Sequence, residues 1–385
     1  MPTVLAVLHA EDVALEFVSV LNRHADEDLR VLVGVPAAEL VLPGGLPLRE
    51  RLDLLAPHME PGRNTADAPP PEWLAERLPP GTRVWTHSPA DHRMRRGRFG
   101  WTVARVAGSV TCSVGDSPHL QILADRAVTL DRAQTAAKIS FVARHGCALL
   151  DSKVADRLVT TDRVPAVERF FHVWQEEADR LYALTASLGD EAALADDPWE
   201  FRGSPYEAGR LDATAAWVTR WAAPDDGPVV EVGACEGALT ARLLAKGYTV
   251  RATEPNPLFR ERLEREQGIV ALPDSLEDLA ARQAHPARIY LLAEMLYYGQ
   301  DLDLLHDLPA DMLLISLSGE RMADTLWPWV RGQDVWRVTD RRELAAPALE
   351  TVCDGLAYVR KRGSKGLALT RAGAVDERPR TGAAS

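Results

Sequence analysis

The chain has 385 residues, 46% of them hydrophobic, and a formal net charge of −12, a length that predicts two domains, each able to bury its own core. The acidic balance excludes nonspecific binding to a phosphate backbone and points to small-molecule partners rather than nucleic acid, with homo-oligomerisation left open. There is no run of about 18 apolar residues, and the start MPTVLAVLHAED lacks a basic n-region and a small-residue cleavage site, so no membrane partner and a cytoplasmic location are expected.

Taken in chain order, Val4 to Leu8 reads as a strand, Asp12 to Asn22 as a helix and Leu29 to Val35 as a second strand. This βαβ alternation implies a parallel sheet with helices on its faces. Val41 to Pro80 is rich in proline and glycine and reads as loops around a short helix at Leu48 to Leu55. Strand Thr82 to His87 and helices at Gly97 to Ala107 and Asp131 to Arg144 complete a domain spanning 1–151. Four cysteines scattered without a C-x-x-C fit reduced thiols and give no cysteine-rich zinc site.

Val164 to Leu184 spaces its apolar residues at three and four, which predicts an amphipathic connecting helix inside a linker, 152–196. Strands at Val229, Thr249, Ile269, Ile289 and Met312 then alternate with helices, giving a second doubly wound sheet within a domain spanning 197–373. Leu356 to Thr370, with GSKG at its centre, reads as an antiparallel hairpin closing that sheet, and the tail 374–385 reads as disordered. The fold class is therefore α/β, with two Rossmann-like domains.

The richest segment is Val229 to Thr240, VVEVGACEGALT, in which a strand carrying Glu231 runs into Gly233 and a helix opens at Gly237. Gly233 supplies a tight turn, Gly237 a close backbone approach to a ligand, and Glu254, about 20 positions on, a clamp for ribose hydroxyls. Cys235 replaces the middle glycine of a dinucleotide fingerprint. A phosphate-free adenosine ligand tolerates that replacement, and E-x-G-x-x-x-G suits S-adenosylmethionine (SAM). Asp274 and Ser275 sit where the adenine amine is met, or open a helix as its N-cap. Glu294, Tyr297 and Tyr298 follow the strand nearest the transferred methyl, as holders of a nucleophile or as a helix packing face.

DPWEFRGSPYEAGR at Asp197 to Arg210, EVGACEG and AEMLYY together resemble the NodS-type family of SAM-dependent N-methyltransferases, over about Asp196 to Arg371. The resemblance implies an amino-sugar nitrogen as acceptor, with Tyr206 and Arg210 as lid and partner of the donor's carboxylate. In the first domain, His9 and Asp12 with His92 from a later strand end form a three-ligand zinc set, and Glu11 a base for the metal-bound water. A surface histidine and a helix cap at Asp12 explain the same residues.

HAED, SPADHRMRRGRFGWTVARVA and LDRAQTAAKISFVARHG resemble the PIG-L (LmbE-like) family of zinc-dependent N-deacetylases, over about Val4 to Leu150. That resemblance makes His9, Asp12 and His92 the zinc ligands and Glu11 the base, and it lets His87 polarise the carbonyl because Pro89 stands where a histidine is expected. Only Arg49 marks the family's arginine-and-glutamate turn. The two resemblances together imply a bifunctional enzyme that deacetylates an N-acetyl amino sugar with Zn2+ and then N-methylates the freed amine with SAM. The alternatives are a methyltransferase with an inactive first domain and an interaction module in which neither site turns over.

Overall fold

A computed structural model describes residues 2–24, 29–35, 59–61, 69–114, 120–145, 166–187, 192–297 and 299–373. The helix expected at Leu48 to Leu55 with Arg49, the tail 374–385 and Tyr298 lie outside the described residues. The chain divides into two compact units, Met1–Pro198 with Thr351–Val359, and Trp199–Glu350 with Arg360–Ser385. No described helix is long and apolar enough to cross a membrane.

The first unit is built on β1 (Thr3–Val7), β2 (Leu29–Val33), β3 (Met59–Pro61), β4 (Arg83–Thr86), β5 (Ser109–Ser113), β6 (Leu120–Ile122), β7 (Arg126–Thr129) and β8 (Val167–Trp174). Seven of these form one sheet in the order β3-β2-β1-β4-β5-β8-β7. β1 to β5 are mutually parallel, and β8 runs antiparallel to both β5 and β7. Alternate residues of β1 enter opposite cores: Val4 and Ala6 join Leu32, Val84 and Phe99, while Leu5 and Val7 join Val31, Val33 and Phe17. A parallel strand covered on both faces needs such a continuous apolar run. Because β2 lies on one side of β1 and β4 on the other, the loops after β1 and β4 meet at a topological switch point. The first helix is broken at Phe17 into Ala10–Glu16 and Val18–Arg23.

The connecting helix expected at Val164 to Leu184 is instead β8 followed by a helix at Gln175–Ala186. In VERFFHVW, Phe171 and Val173 enter one core and Phe170 the other, so these β-branched and aromatic residues follow the alternation of a strand between two partners. Ala178 and Leu181 of the helix are also core residues, which makes the segment part of the first unit rather than a linker.

The second unit contains β9 (Val229–Val232), β10 (Val250–Thr253), β11 (Ala287–Ala293), β12 (Ala310–Leu317) and β13 (Trp336–Ala345). After β14 (Ala348–Val352) and β15 (Ala357–Lys361), the chain enters β16 (Ser364–Arg371). The six-stranded order is β10-β9-β11-β12-β16-β13, with β10, β9, β11 and β12 parallel and β16 antiparallel to both its neighbours. Val230, Tyr290 and Leu313 fill one face; Val229, Ile289 and Leu314 fill the other. The strand expected at Ile269 is reduced to a single bridge between Thr253 and Leu272.

The expected hairpin is also rearranged. β16 does close the parallel sheet antiparallel, but its outer partner is β13, while Ala357, Tyr358 and Val359 of β15 pair with β6. Gly363 takes a φ of 80° and lies against Ala345 and Pro347, where a Cβ would come within 3.0 Å of the backbone. The turn glycine thus redirects the chain from one sheet to another instead of folding it back on itself.

Candidate active site

The switch point of the second unit lies between β9 and β11, and there the sequence VGACEG turns. Gly233 has a φ of 69° and Gly237 a φ of 83°, and between them Cys235 is held at 53°, a conformation L residues adopt at a cost of about 1 to 3 kcal/mol. A Cβ on Gly233 would lie 3.3 Å from Met295 Cβ, which brings the β9 turn against the segment after β11. Gly237 is seated against the helix Pro257–Gln267: its Cβ would lie 3.0 Å from the side chains of Leu263 and Gln267.

Glu254, just past β10, accepts the Cys235 N–H at 2.8 Å on Oε2 and the Asn256 N–H at 2.8 Å on Oε1. These bonds fix the carboxylate at the crevice and pin the strained turn, while burial raises its pKa. A carboxylate has about four lone-pair sites, so each oxygen retains one beyond these bonds. Glu231 is turned inward: Thr240 donates to it at 2.6 Å, and burial pushes its pKa up to about 7. Ser275, not Asp274, caps the helix Leu276–Arg282, accepting from Asp278 N–H at 3.2 Å. Asp274 is engaged by Arg282 at 3.0 Å and His285 at 3.4 Å.

Past β11, Glu294 takes a φ of 53°, the second strained non-glycine residue at this strand-end crevice. Tyr297 donates to its Oε2, Ser364 donates to Oε1 at 2.5 Å, and the Tyr297 oxygen accepts the Ser318 N–H at 2.7 Å. Burial and the neighbouring Glu294 push the Tyr297 phenol up. On the helix Pro205–Val218, Arg210 is buried with Nε donating to Glu207 at 2.8 Å. Burial disfavours its charge, but Glu207 and Glu294 outweigh that and raise its pKa. The pKa of Tyr206 is pushed up to about 12 by burial and Glu207.

Sequence reasoning missed Lys361, Glu200, Glu207, Glu350 and Ser364. Lys361 Nζ lies over the Tyr206 ring, 5.7 Å from its centroid, and 3.1 Å from Glu207, 3.5 Å from Glu350 and 3.9 Å from Glu200. Ser204 donates to Glu350 at 2.6 Å. Glu200, Glu207 and Glu350 thus gather around Lys361, while Arg210 pairs with Glu207 and its charge is also favoured by Glu294. Within DPWEFRGSPYEAGR the resemblance pointed to Tyr206 and Arg210 but not to Glu200 and Glu207.

In the first unit the expected zinc set does not converge. Among the described residues, the one group of three candidate ligand atoms within 4.8 Å of each other is Glu16, His87 and Asp91, not His9, Asp12 and His92. Asp12 is fully buried and accepts from the His9 N–H at 3.0 Å. It also takes Arg96 Nε at 2.9 Å and Nη2 at 2.7 Å, and lies 3.2 Å from His87 Nε2. Burial opposes its charge, but Arg96 and His87 hold its pKa well below the usual range. His87 is buried too, with Nδ1 3.4 Å from Glu16 and Nε2 accepting the Leu8 N–H at 3.1 Å; Asp12 and Glu16 outweigh burial and raise its pKa to about 9.

Arg93 then joins Glu16 to Asp91, donating to both. Burial lowers His9 to about 4, and its Nδ1 is buried without a partner. Glu11 and His92 are buried. Asp12 is thus already occupied by Arg96 and the His9 N–H. Gly97 and Gly100 seat this loop: a Cβ at Gly100 would fall 2.2 Å from the His87 carbonyl oxygen, and one at Gly97 2.7 Å from that of Asp91.

No family model matches the chain, and no curated protein matches it. Among solved structures, it is similar to the N-methyltransferase NodS from Bradyrhizobium japonicum, with 15% identity and a TM-score of 0.35 over 47% of this chain and 94% of that one. The magnesium protoporphyrin IX methyltransferase of Synechocystis aligns over 50% of this chain and 97% of that one, at 15% identity and a TM-score of 0.33. The glycopeptide N-methyltransferase MtfA aligns over 42% and 87%, at 12% identity and a TM-score of 0.32.

Proposed function

We propose that the second unit transfers a methyl group from SAM to an amine. The observation that carries this reading is Glu294, held at the end of β11 by Tyr297 and Ser364, next to Met295, which packs against Gly233 of the β9 turn. SAM, when bound, supplies an electrophilic methyl. On this reading the turn at Gly233 to Gly237 and the remaining lone pairs of Glu254 hold its nucleoside part, under the helix bearing Tyr206 and Arg210. A primary amine arrives at neutral pH largely as an ammonium ion, which a carboxylate such as Glu294 attracts. Transfer requires the neutral lone pair, so the ammonium proton must leave. Glu294 is placed to accept it and to aim the nitrogen, and such alignment is worth several kcal/mol of barrier. The finer assignment to an amino sugar rests on the resemblance of DPWEFRGSPYEAGR and AEMLYY to the NodS-type family.

The test is mass spectrometry of amino sugars, their hydroxyl analogues and simple amines incubated with protein and SAM. A methyl gain on the amines alone is expected, and methylation of the hydroxyl analogues alone would refute the assignment. Glu294→Gln is expected to lower kcat by about 10²-fold or more, while SAM affinity measured by calorimetry stays near that of the parent.

A further inference from the structure

We infer that, in the first unit, arginine guanidinium groups hold the carboxylates that a divalent metal would need, so that this chain does not release an acyl group and its acceptor arrives as a free amine. The donor count around Asp12 carries the point. Its oxygens accept from Arg96 Nε, Arg96 Nη2 and the His9 N–H, and they face His87 Nε2. The three N–H donors take three of the roughly four lone-pair sites of the carboxylate, and both of its oxygens are engaged. Arginine does not deprotonate in proteins, so unlike a water or a lysine it cannot step aside for a divalent cation by losing its charge.

The one described trio close enough to ligate, Glu16, His87 and Asp91, is spanned in the same way. Arg93 reaches Glu16 and both oxygens of Asp91, with Nε 2.8 Å from Oδ1 and 3.0 Å from Oδ2. Arg93 and Arg96 thus already span the carboxylates Asp12, Glu16 and Asp91, and a zinc ion among them would have to displace guanidinium hydrogen bonds.

The statement about the acceptor rests on the amine reading of the second unit. An amide nitrogen gives its lone pair to the carbonyl and is a poor methyl acceptor. The preceding reaction must therefore be one that exposes or installs an amine, either hydrolysis of an amide by another enzyme or transfer of an amino group.

The experiment uses the purified full chain. Elemental analysis after incubation with Zn2+ and desalting is expected to find far less than one zinc per chain, and the melting temperature is expected to be unchanged by EDTA. Stoichiometric zinc, or a fall in melting temperature on chelation, would overturn the inference. Arg93→Met leaves Glu16, His87 and Asp91 without their bridge, so it is expected to melt lower than the parent and to take up Co2+ with visible absorption bands. If it melts as the parent does and binds no Co2+, the bridge has no role and the inference fails. Incubation of an N-acetylated amine with protein and Zn2+ is expected to release no acetate, and release would overturn it. SAM binding measured on the same samples reports on the methyl-transfer reading alone, so the two readings can fail separately.

Discussion

Glu231 shows how little a side chain's position in a motif says about where it points. It opens E-x-G-x-x-x-G, but its carboxyl is buried against Thr240, and burial pushes its pKa from 4.5 up to about 7. An acid whose folded pKa is raised contributes stability that is fully present below the unfolded pKa and lost as pH rises through the folded one. Folding therefore holds the proton that the unfolded chain releases above about pH 4.5, and the cost grows until about pH 7. Glu231→Gln keeps a partner for Thr240 without that cost. Its stability relative to the parent, measured by urea unfolding, is expected to be near parity at acid pH and to rise by up to about 3 kcal/mol at neutral pH and above. A constant difference across that range would show that Glu231 does not titrate. Glu254, by contrast, was legible from spacing alone, because the distance from a glycine turn to the end of the next strand is set by one helix and one strand. Arg96, the partner that occupies Asp12, is 84 residues away from it, and nothing local signals such a pairing.

At the scale of elements, glycines decide how closely a helix seats on the loop it positions. In RGRFG, Gly97 and Gly100 lie one helical turn apart on the helix Met94–Ala107, facing Asp91 and His87. Gly100→Ala would place a methyl 2.2 Å from the His87 carbonyl oxygen, a backbone atom that cannot rotate away. Better helix propensity offsets about 1 kcal/mol at most, whereas overpacking of this kind costs about 1 to 3 kcal/mol and sometimes more. A net loss is expected in thermal melts, and a stabilised Gly100→Ala variant would contradict the close seating. Strand identity was legible wherever apolar runs were continuous, as in β1, β9 and β11. Pairing was less so: GSKG marks where the chain bends, yet β15 and β16 belong to different sheets. Turn chemistry constrains the local backbone, whereas the partner of each strand is set by burial against residues far away in sequence. The same limit turned VERFFHVW into an expected helix, since a short run satisfies both periods until its neighbours select one.

For the molecule as a whole, two doubly wound sheets follow from the alternation of apolar strands and amphipathic helices, and each sheet has its own switch point. A division at one point in the sequence does not reproduce the units, because Thr351–Val359 leaves the second and belongs to the first. That excursion brings Val352, Cys353 and Ala357 into the core containing Val110, Phe171 and Leu181, and gives β6 its partner, β15. Val352 and Ala357 are 1% and 0% exposed, so their contribution is that of full burial, about 25 cal/mol for each Å² of apolar surface removed from water. A fragment ending at Pro198 would uncover their contacts and leave β6 unpaired. It is expected to unfold at a lower urea midpoint than the first unit does within the full chain and to bind a hydrophobic dye, with both effects reduced by adding a peptide spanning 348–361. A fragment as stable as the unit within the intact chain, with no response to the peptide, would mean that the excursion is peripheral to the core.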